Sequence, residues 1–157
     1  MNSKRPMFWH QGLFLQPQHF QYADAHHHWS ANVLARHLRP HHWGVVELGI
    51  NEERIASGII EIDRATLLFR DGTVVQAPDN ALIPPRDFRA DWDPSQNRLD
   101  VYVGVRRLVP AAPNVTVVTD RNAGLTAKTR FVSLADSAPM PDLHQGGEGS
   151  AQVKTLH

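Results

Sequence analysis

Histidine is the residue type through which this sequence could most readily do chemistry. Eight of its ten histidines, His10, His19, His26, His27, His28, His37, His41 and His42, lie before residue 43. A metal site needs ligands that converge on one ion and a second layer of groups that orients them. The triplet His26-His27-His28 falls inside a helical pattern, where successive side chains point about 100° apart. Its three rings cannot share one ion. His37 and His41 have the i, i+4 spacing of a helical ligand pair, but Pro40 between them denies them a common face. Cysteine is absent, and no HExxH pattern supports zinc. The histidines therefore read as a polar, partly buried helix surface, and no metal ligand is assigned.

The other reactive types fare no better. Ser30, Ser57, Ser95 and Ser133 lack the GxSxG context of an activated serine. Asp91-Trp92-Asp93 could form an acid/base pair, but Pro94 and Ser95 follow it and make a turn. Gly146-Gly147-Glu148-Gly149 leads into a strand-like stretch rather than the helix that phosphate binding requires. Arg86 and Arg89 flank Phe88, yet Asp87, Asp91 and Asp93 sit among them, which describes a solvated rim rather than a nucleic-acid surface. Lys plus Arg equals Asp plus Glu at 16 each, so no net field draws the chain to nucleic acid or to an anionic membrane. No catalytic residue and no cofactor is expected.

The elements behind these residues are one helix and many strands. The spacing predicts a helix over residues 18–38, with Pro17 at its start and Pro40 beyond its end. Phe20, Ala23, His27, Ala31, Leu34 and Leu38 form one apolar stripe, and Tyr22, Ala25, Trp29 and Val33 a second, so both sides of the helix should be covered. Residues 43–50 read as a strand with Val46, Leu48 and Ile50 on one face, 51–57 as a connection and 58–63 as a second strand. Residues 66–70 and 73–76 form a hairpin around a two-residue Asp71-Gly72 turn. A short edge strand is expected at 81–83. Residues 98–107, with Leu99, Val101, Val103 and Val105 alternating against polar neighbours, have the best strand pattern of all. Strands at 115–119 and 129–134 follow, then a loop over 137–150 and a last strand-like stretch at 151–156. No internal repeat and no coiled-coil heptad stands out. The expected fold class is mainly β, a β-sandwich preceded by one helix, with residues 17–157 as a single domain. No run of about 18 apolar residues could span a bilayer, and the lack of cysteine suits the cytoplasm.

Residues 1–16 remain as an arm with large apolar side chains at 7, 8, 9, 13, 14 and 15 and no helix or strand period. Ordering a chain costs about 1–2 kcal/mol per residue, which apolar burial must offset, so the arm should cover either its own domain or another chain. A competing class is a metal- or carbohydrate-binding β-sandwich that uses the histidines or loop carboxylates as ligands and Trp43 or Trp92 as a stacking platform.

The run Phe8-Trp9-His10-Gln11-Gly12-Leu13-Phe14-Leu15-Gln16-Pro17-Gln18-His19-Phe20-Gln21 resembles the N-terminal signature of the TssK family, baseplate subunits of bacterial type VI secretion systems. The likeness continues more loosely through the helix, Trp43-Gly44 and residues 68–78. It implies a structural role: a β-sandwich shoulder of a homotrimeric adaptor, attached to the TssF–TssG wedge, at the cytoplasmic side of the inner membrane. A helical neck and a head that meets TssL and TssM would follow in such a protein, and both would be missing from a chain of this length. The implied partner-binding residues are Phe8, Trp9, Gly12, Leu13, Phe14, Leu15, Pro17, Gln18, His19 and Phe20, with Trp9 and Phe14 as anchors on TssG. In that picture the arm is mobile until it meets the wedge, Gly12 lets backbones approach, and Tyr22, Trp29 and Val33 are candidates for a subunit contact.

Overall fold

The computed structural model describes residues 3–141 and 150–157. Its first element is the expected helix, α1, Pro17–Leu38. Pro17 opens the first turn, where its missing N–H costs nothing. The Gln16 N–H donates to Nδ1 of His19 at 2.9 Å, and the His19 N–H donates to the Gln16 carbonyl at 3.0 Å. A histidine thus takes the place that glutamate or glutamine holds in a capping box. At the other end Arg39 turns extended, as the residue before a proline must.

Behind α1 the chain is mainly β. The order is β1 (Gly44–Ile50), the short helix α2 (Glu52–Ala56), β2 (Ile59–Ile60), β3 (Ile62–Leu68), β4 (Val74–Ala77), β5 (Arg86–Asp87), β6 (Val115–Val118), the short helix α3 (Arg121–Gly124), β7 (Phe131–Leu134), β8 (Ala138–Pro141) and β9 (Ser150–Val153). Four sheets result: β1-β3-β4, β2-β5, β6-β7 and β8-β9. The expected class, mainly β behind one long helix, is what the chain adopts.

Contacts divide the chain into two compact units, Met1–Leu48 with Ala65–Gln76, and Gly49–Arg64 with Ala77–His157. In the first unit Ala65 and Leu67 alternate along β3 and are buried together with Val75 of β4, a two-residue period that puts one face of the sheet inward. In the second unit β6 and β7 pair in parallel, with Val115 opposite Phe131 and Val118 opposite Leu134. A parallel pair needs a crossover of about a dozen residues, and the stretch carrying α3 supplies it. Val132 and Ser133 of β7 are both buried, as on a strand covered on two faces. Val132 also exchanges two backbone hydrogen bonds of 2.8 Å with His157, on the side of β7 away from β6.

Several elements differ from the sequence expectation. Residues 51–57 hold a turn of helix, because the Asn51 Oδ1 accepts from the Arg54 N–H and caps it. The strand expected at 58–63 is split at Glu61 between β2 and β3. The hairpin turn has three residues, not two. The Phe69 N–H donates to the Thr73 carbonyl, the Gly72 N–H to the Phe69 carbonyl, and Gly72 takes a φ of 85°, the turn-plus-bulge form in which glycine removes the penalty of positive φ. Residues 81–83 form no strand. The 115–119 and 129–134 strands shorten to β6 and β7, and β8 occupies part of the expected 137–150 loop, whose glycine-rich residues 146–149 lie outside the described residues. β9 ends at Val153, three residues short of the expected stretch.

The largest difference concerns residues 98–107. They form no strand, and among the described residues the backbone of residues 99–105 makes no hydrogen bond. Alternation supplies a face to bury, but a strand exists only where a neighbour satisfies its N–H and C=O groups.

Candidate protein-docking surface

The arm and α1 together carry the chain's densest set of exposed aromatic side chains. The arm's backbone is set by two features. The Leu13 N–H donates to the His10 carbonyl at 3.3 Å across a turn in which Gly12 has a φ of 82°. Further back, Nδ1 of His26 on α1 donates to the Ser3 carbonyl at 2.8 Å. The ring centroids of Trp9 and Phe20 lie 6.4 Å apart, tilted, and those of Phe8 and His10 lie 5.6 Å apart, stacked. The arm therefore runs back along the first turns of α1. Gly12 is used for its positive φ, not for close approach: a Cβ there would meet nothing within 4 Å.

The side chains on this arm point outward. Phe8 is 80% exposed and Phe14 81%, with Trp9, Leu15 and Phe20 at about half; Ser3, Met7 and Leu13 are partly covered. Pro17 and His19 serve the helix start, and Gln18 is exposed. Of the residues expected at the surface, Phe8, Trp9, Phe14, Leu15 and Phe20 are exposed, and Trp9 and Phe20 are brought together, while His19 has a local structural task that spacing alone did not reveal.

The two stripes of α1 are covered unequally. Tyr22, Ala25, Trp29 and Val33 are half-buried, and the Trp29 ring lies 5.8 Å from that of His26. Beside them a polar row reads the hairpin turn. His28 Nε2 donates to the Asp71 carbonyl at 3.2 Å, and Arg36 Nη2 donates to the Arg70 carbonyl at 2.5 Å. Asn32, between them, lies so close to Gly72 that a Cβ on the glycine would come within 2.9 Å of its Cγ. Residues at i, i+4 and i+8 share one face, so the helix holds the turn by its carbonyls. Arg70 in turn stands 4.0 Å over the Trp43 ring. The first stripe, by contrast, is bare apart from the partly covered Ala23: Leu34 and Leu38, expected to be buried, are 61% and 77% exposed.

The groups considered for chemistry are mostly engaged in local structure. His10, His19, His26 and His28 each bond a neighbouring backbone group. Among the described residues no group of three or more His, Cys, Asp or Glu could hold a metal ion. One face of Trp43, considered as a stacking platform, is taken by Arg70. Asp91 pairs with Arg86 at 2.9 Å, and Asp93 accepts from the Ser95 N–H and hydroxyl at 2.9 and 2.8 Å. Those hydrogen bonds hold the Asp93 carboxyl below its usual range. Asp87 is lowered further, to about 2, chiefly by the Arg89 guanidinium beside it. Charged pairs two to five residues apart describe a loop tied to itself. Among the described residues no helix is long and apolar enough to cross a membrane.

The profile of the bacterial type VI secretion family described by the names VC_A0110, EvfL, ImpJ and VasE matches residues 19–157. The chain belongs to this family. The matched span begins within the first turn of α1 and includes every strand, while the arm lies before it. Over 78 residues the chain is 31% identical to the type VI secretion system baseplate component TssK1 of Pseudomonas aeruginosa, a match covering 50% of this chain and 18% of that protein. Among solved structures it resembles a chain of the TssK-TssF-TssG baseplate subcomplex, with a TM-score of 0.71 at 23% identity over 97% of this chain and 48% of that one. A crystal structure of TssK gives a TM-score of 0.71 at 19% identity, covering 97% of this chain and 34% of that one. These structural likenesses establish the shared fold. The chain spans less than half the length of each of these relatives.

Proposed function

We propose that this chain is a structural, non-catalytic assembly module of a type VI secretion baseplate, working at the cytoplasmic side of the inner membrane and docking through its arm onto the TssF–TssG wedge. The observation that carries this reading is the pair Phe8 and Phe14. Both are aromatic and about four-fifths exposed, on an arm whose backbone is tied to α1 and to its own turn. Aromatic side chains presented on a fixed backbone lose little conformational freedom on binding, and such anchors dominate many interfaces. Family membership and the likeness to a chain of a TssK-TssF-TssG subcomplex point to the class of partner.

Co-purification with TssF and TssG of the same system tests it. Phe8→Ala with Phe14→Ala should weaken capture by about a thousandfold, at roughly 2 kcal/mol per lost anchor, with the melting temperature unchanged. Intact capture with a lowered melting temperature would mean that the two rings belong to the domain's own core.

A further inference from the structure

The unpaired stretch 98–107 and β6 are joined by a tie that folds the chain back on itself. The Val109 N–H donates to Oδ1 of Asn114 at 2.8 Å, and Nδ2 of Asn114 donates to the Val109 and Ala112 carbonyls, each at 2.9 Å. One amide side chain thus makes the reversal between Leu108 and Val115, inside one compact unit. Among the described residues β6 pairs only with β7. The Asn114 and Val118 carbonyls accept from the Phe131 and Ala135 N–H groups. Backbone groups alternate in direction along a strand, so those of Val115 and Val117 point the other way, along a free edge. Arg130, one residue before β7, reaches the unpaired stretch itself: its Nη1 donates to the Arg106 carbonyl at 2.6 Å.

We propose that residues 105–108 are a strap that closes onto the free edge of β6 as an antiparallel strand, and that Arg130 is the latch that holds it open. Two features give the same register. The outward backbone groups of β6 belong to Val115 and Val117, which in a hairpin folded at 109–114 fall opposite Leu108 and Arg106. That register also sets Val105 opposite Val118, both half-buried, and gathers the exposed Leu108, Val115 and Val117 on the other face. A slip of one residue would turn Val105 to the exposed face. In the closed form the Arg106 carbonyl accepts from the Val117 N–H. In the structure the Arg130 guanidinium takes that carbonyl, and hydrogen bonds from a charged donor are the stronger kind. Closure removes a free strand edge, the place where strands of other chains add. Arg130 thereby decides whether the edge of β6 stays open.

The chain has no cysteine, so two introduced thiols can report closure. Val105→Cys with Val118→Cys, directly opposite in the closed register, should form an intramolecular disulfide under mild oxidation. Val105→Cys with Val117→Cys, on opposite faces, should form it at least about tenfold more slowly. Arg130→Met, which keeps the length of the side chain without its donors, should speed the first crosslink by about tenfold. In the cysteine-free chain the same substitution should slow hydrogen exchange of the Val117 amide by a similar factor, and this readout stands if the paired thiols impair folding. Thiols at 105 and 118 that crosslink no faster than those at 105 and 117, with the Val117 amide unprotected in Arg130→Met, overturn the strap. Crosslinking and exchange that ignore Arg130→Met overturn the latch. So does an Arg130→Met chain that loses its β circular dichroism signal, because Arg130 would then hold the fold together rather than hold the strap open.

Discussion

Two stretches of this chain carry the same β signal and meet opposite fates. Residues 62–77 alternate only around Ala65-Thr66-Leu67, yet they pair as β3 and β4 and bury Ala65, Leu67 and Val75. Residues 98–107 alternate more regularly, yet Val101 is 49% exposed, Val103 37%, and the stretch joins no sheet. The difference lies in the connection. Thr73 returns the chain beside Phe69 through a three-residue turn that Gly72 permits, so the first stretch brings its own neighbour. The second is flanked by turns as well, the Gln96 N–H donating to the Asp93 carbonyl and the Ala112 N–H to the Val109 carbonyl, but neither turn lays a strand beside residues 99–105. Periodicity states which side would be buried; it says nothing about who supplies the hydrogen bonds.

A matched pair of substitutions offers the sharpest way to break this contrast. Leu67→Asp places an unpaired charge in the buried face of β3 and should cost more than about 4 kcal/mol, enough to unfold the chain. Val103→Asp should change stability in urea by no more than about 0.5 kcal/mol. Equal losses would mean that residues 98–107 are core after all. The turn comes next. Gly72→Val forces a branched side chain into positive φ and against Asn32, and should cost about 2 kcal/mol or more. Combining it with Asn32→Ala recovers only the steric part, and a full recovery would show that the backbone bears no strain.

The smallest effect belongs to Asp87, in β5 between the two stretches. Its pKa in the fold is about 2, below the ordinary 3.8. Because it is lowered, the Arg89 pairing contributes above pH 3.8 and is lost as pH falls through about 2. Both groups are exposed, so an NMR titration of the carboxyl, rather than a melting curve, is the readout. Arg89→Gln should raise the midpoint toward 3.8 and leave Asp93, which Ser95 holds, unmoved.

Local chemistry was the legible part of the sequence. Pro17 and Pro40 bracketed the helix, Gly72 marked the turn, and the large rings at 8, 9 and 14 announced a surface in need of cover. What depends on distant groups was not legible. The parallel pairing of β6 with β7, the Val132–His157 bonds and the helix face chosen for packing all rest on contacts far apart in the chain. The function of His19 escaped for a different reason. A histidine can close a capping box, but glutamate and glutamine are the residues that advertise one.

The hold of α1 on the hairpin turn limits how the helix can change in length. His28, Asn32 and Arg36 meet Asp71, Gly72 and Arg70 at four-residue steps, while Phe20 to Leu38 keep their own line on the other side. One residue inserted after Asn32 would turn everything beyond it by about 100°. Arg36 would leave the Arg70 carbonyl, and Leu34 and Leu38 would leave the line of Phe20. Seven inserted residues, two turns, would realign the line to within about 20°. Across the span from His28 to Arg36, single-residue insertions and deletions are therefore the changes this helix should tolerate least.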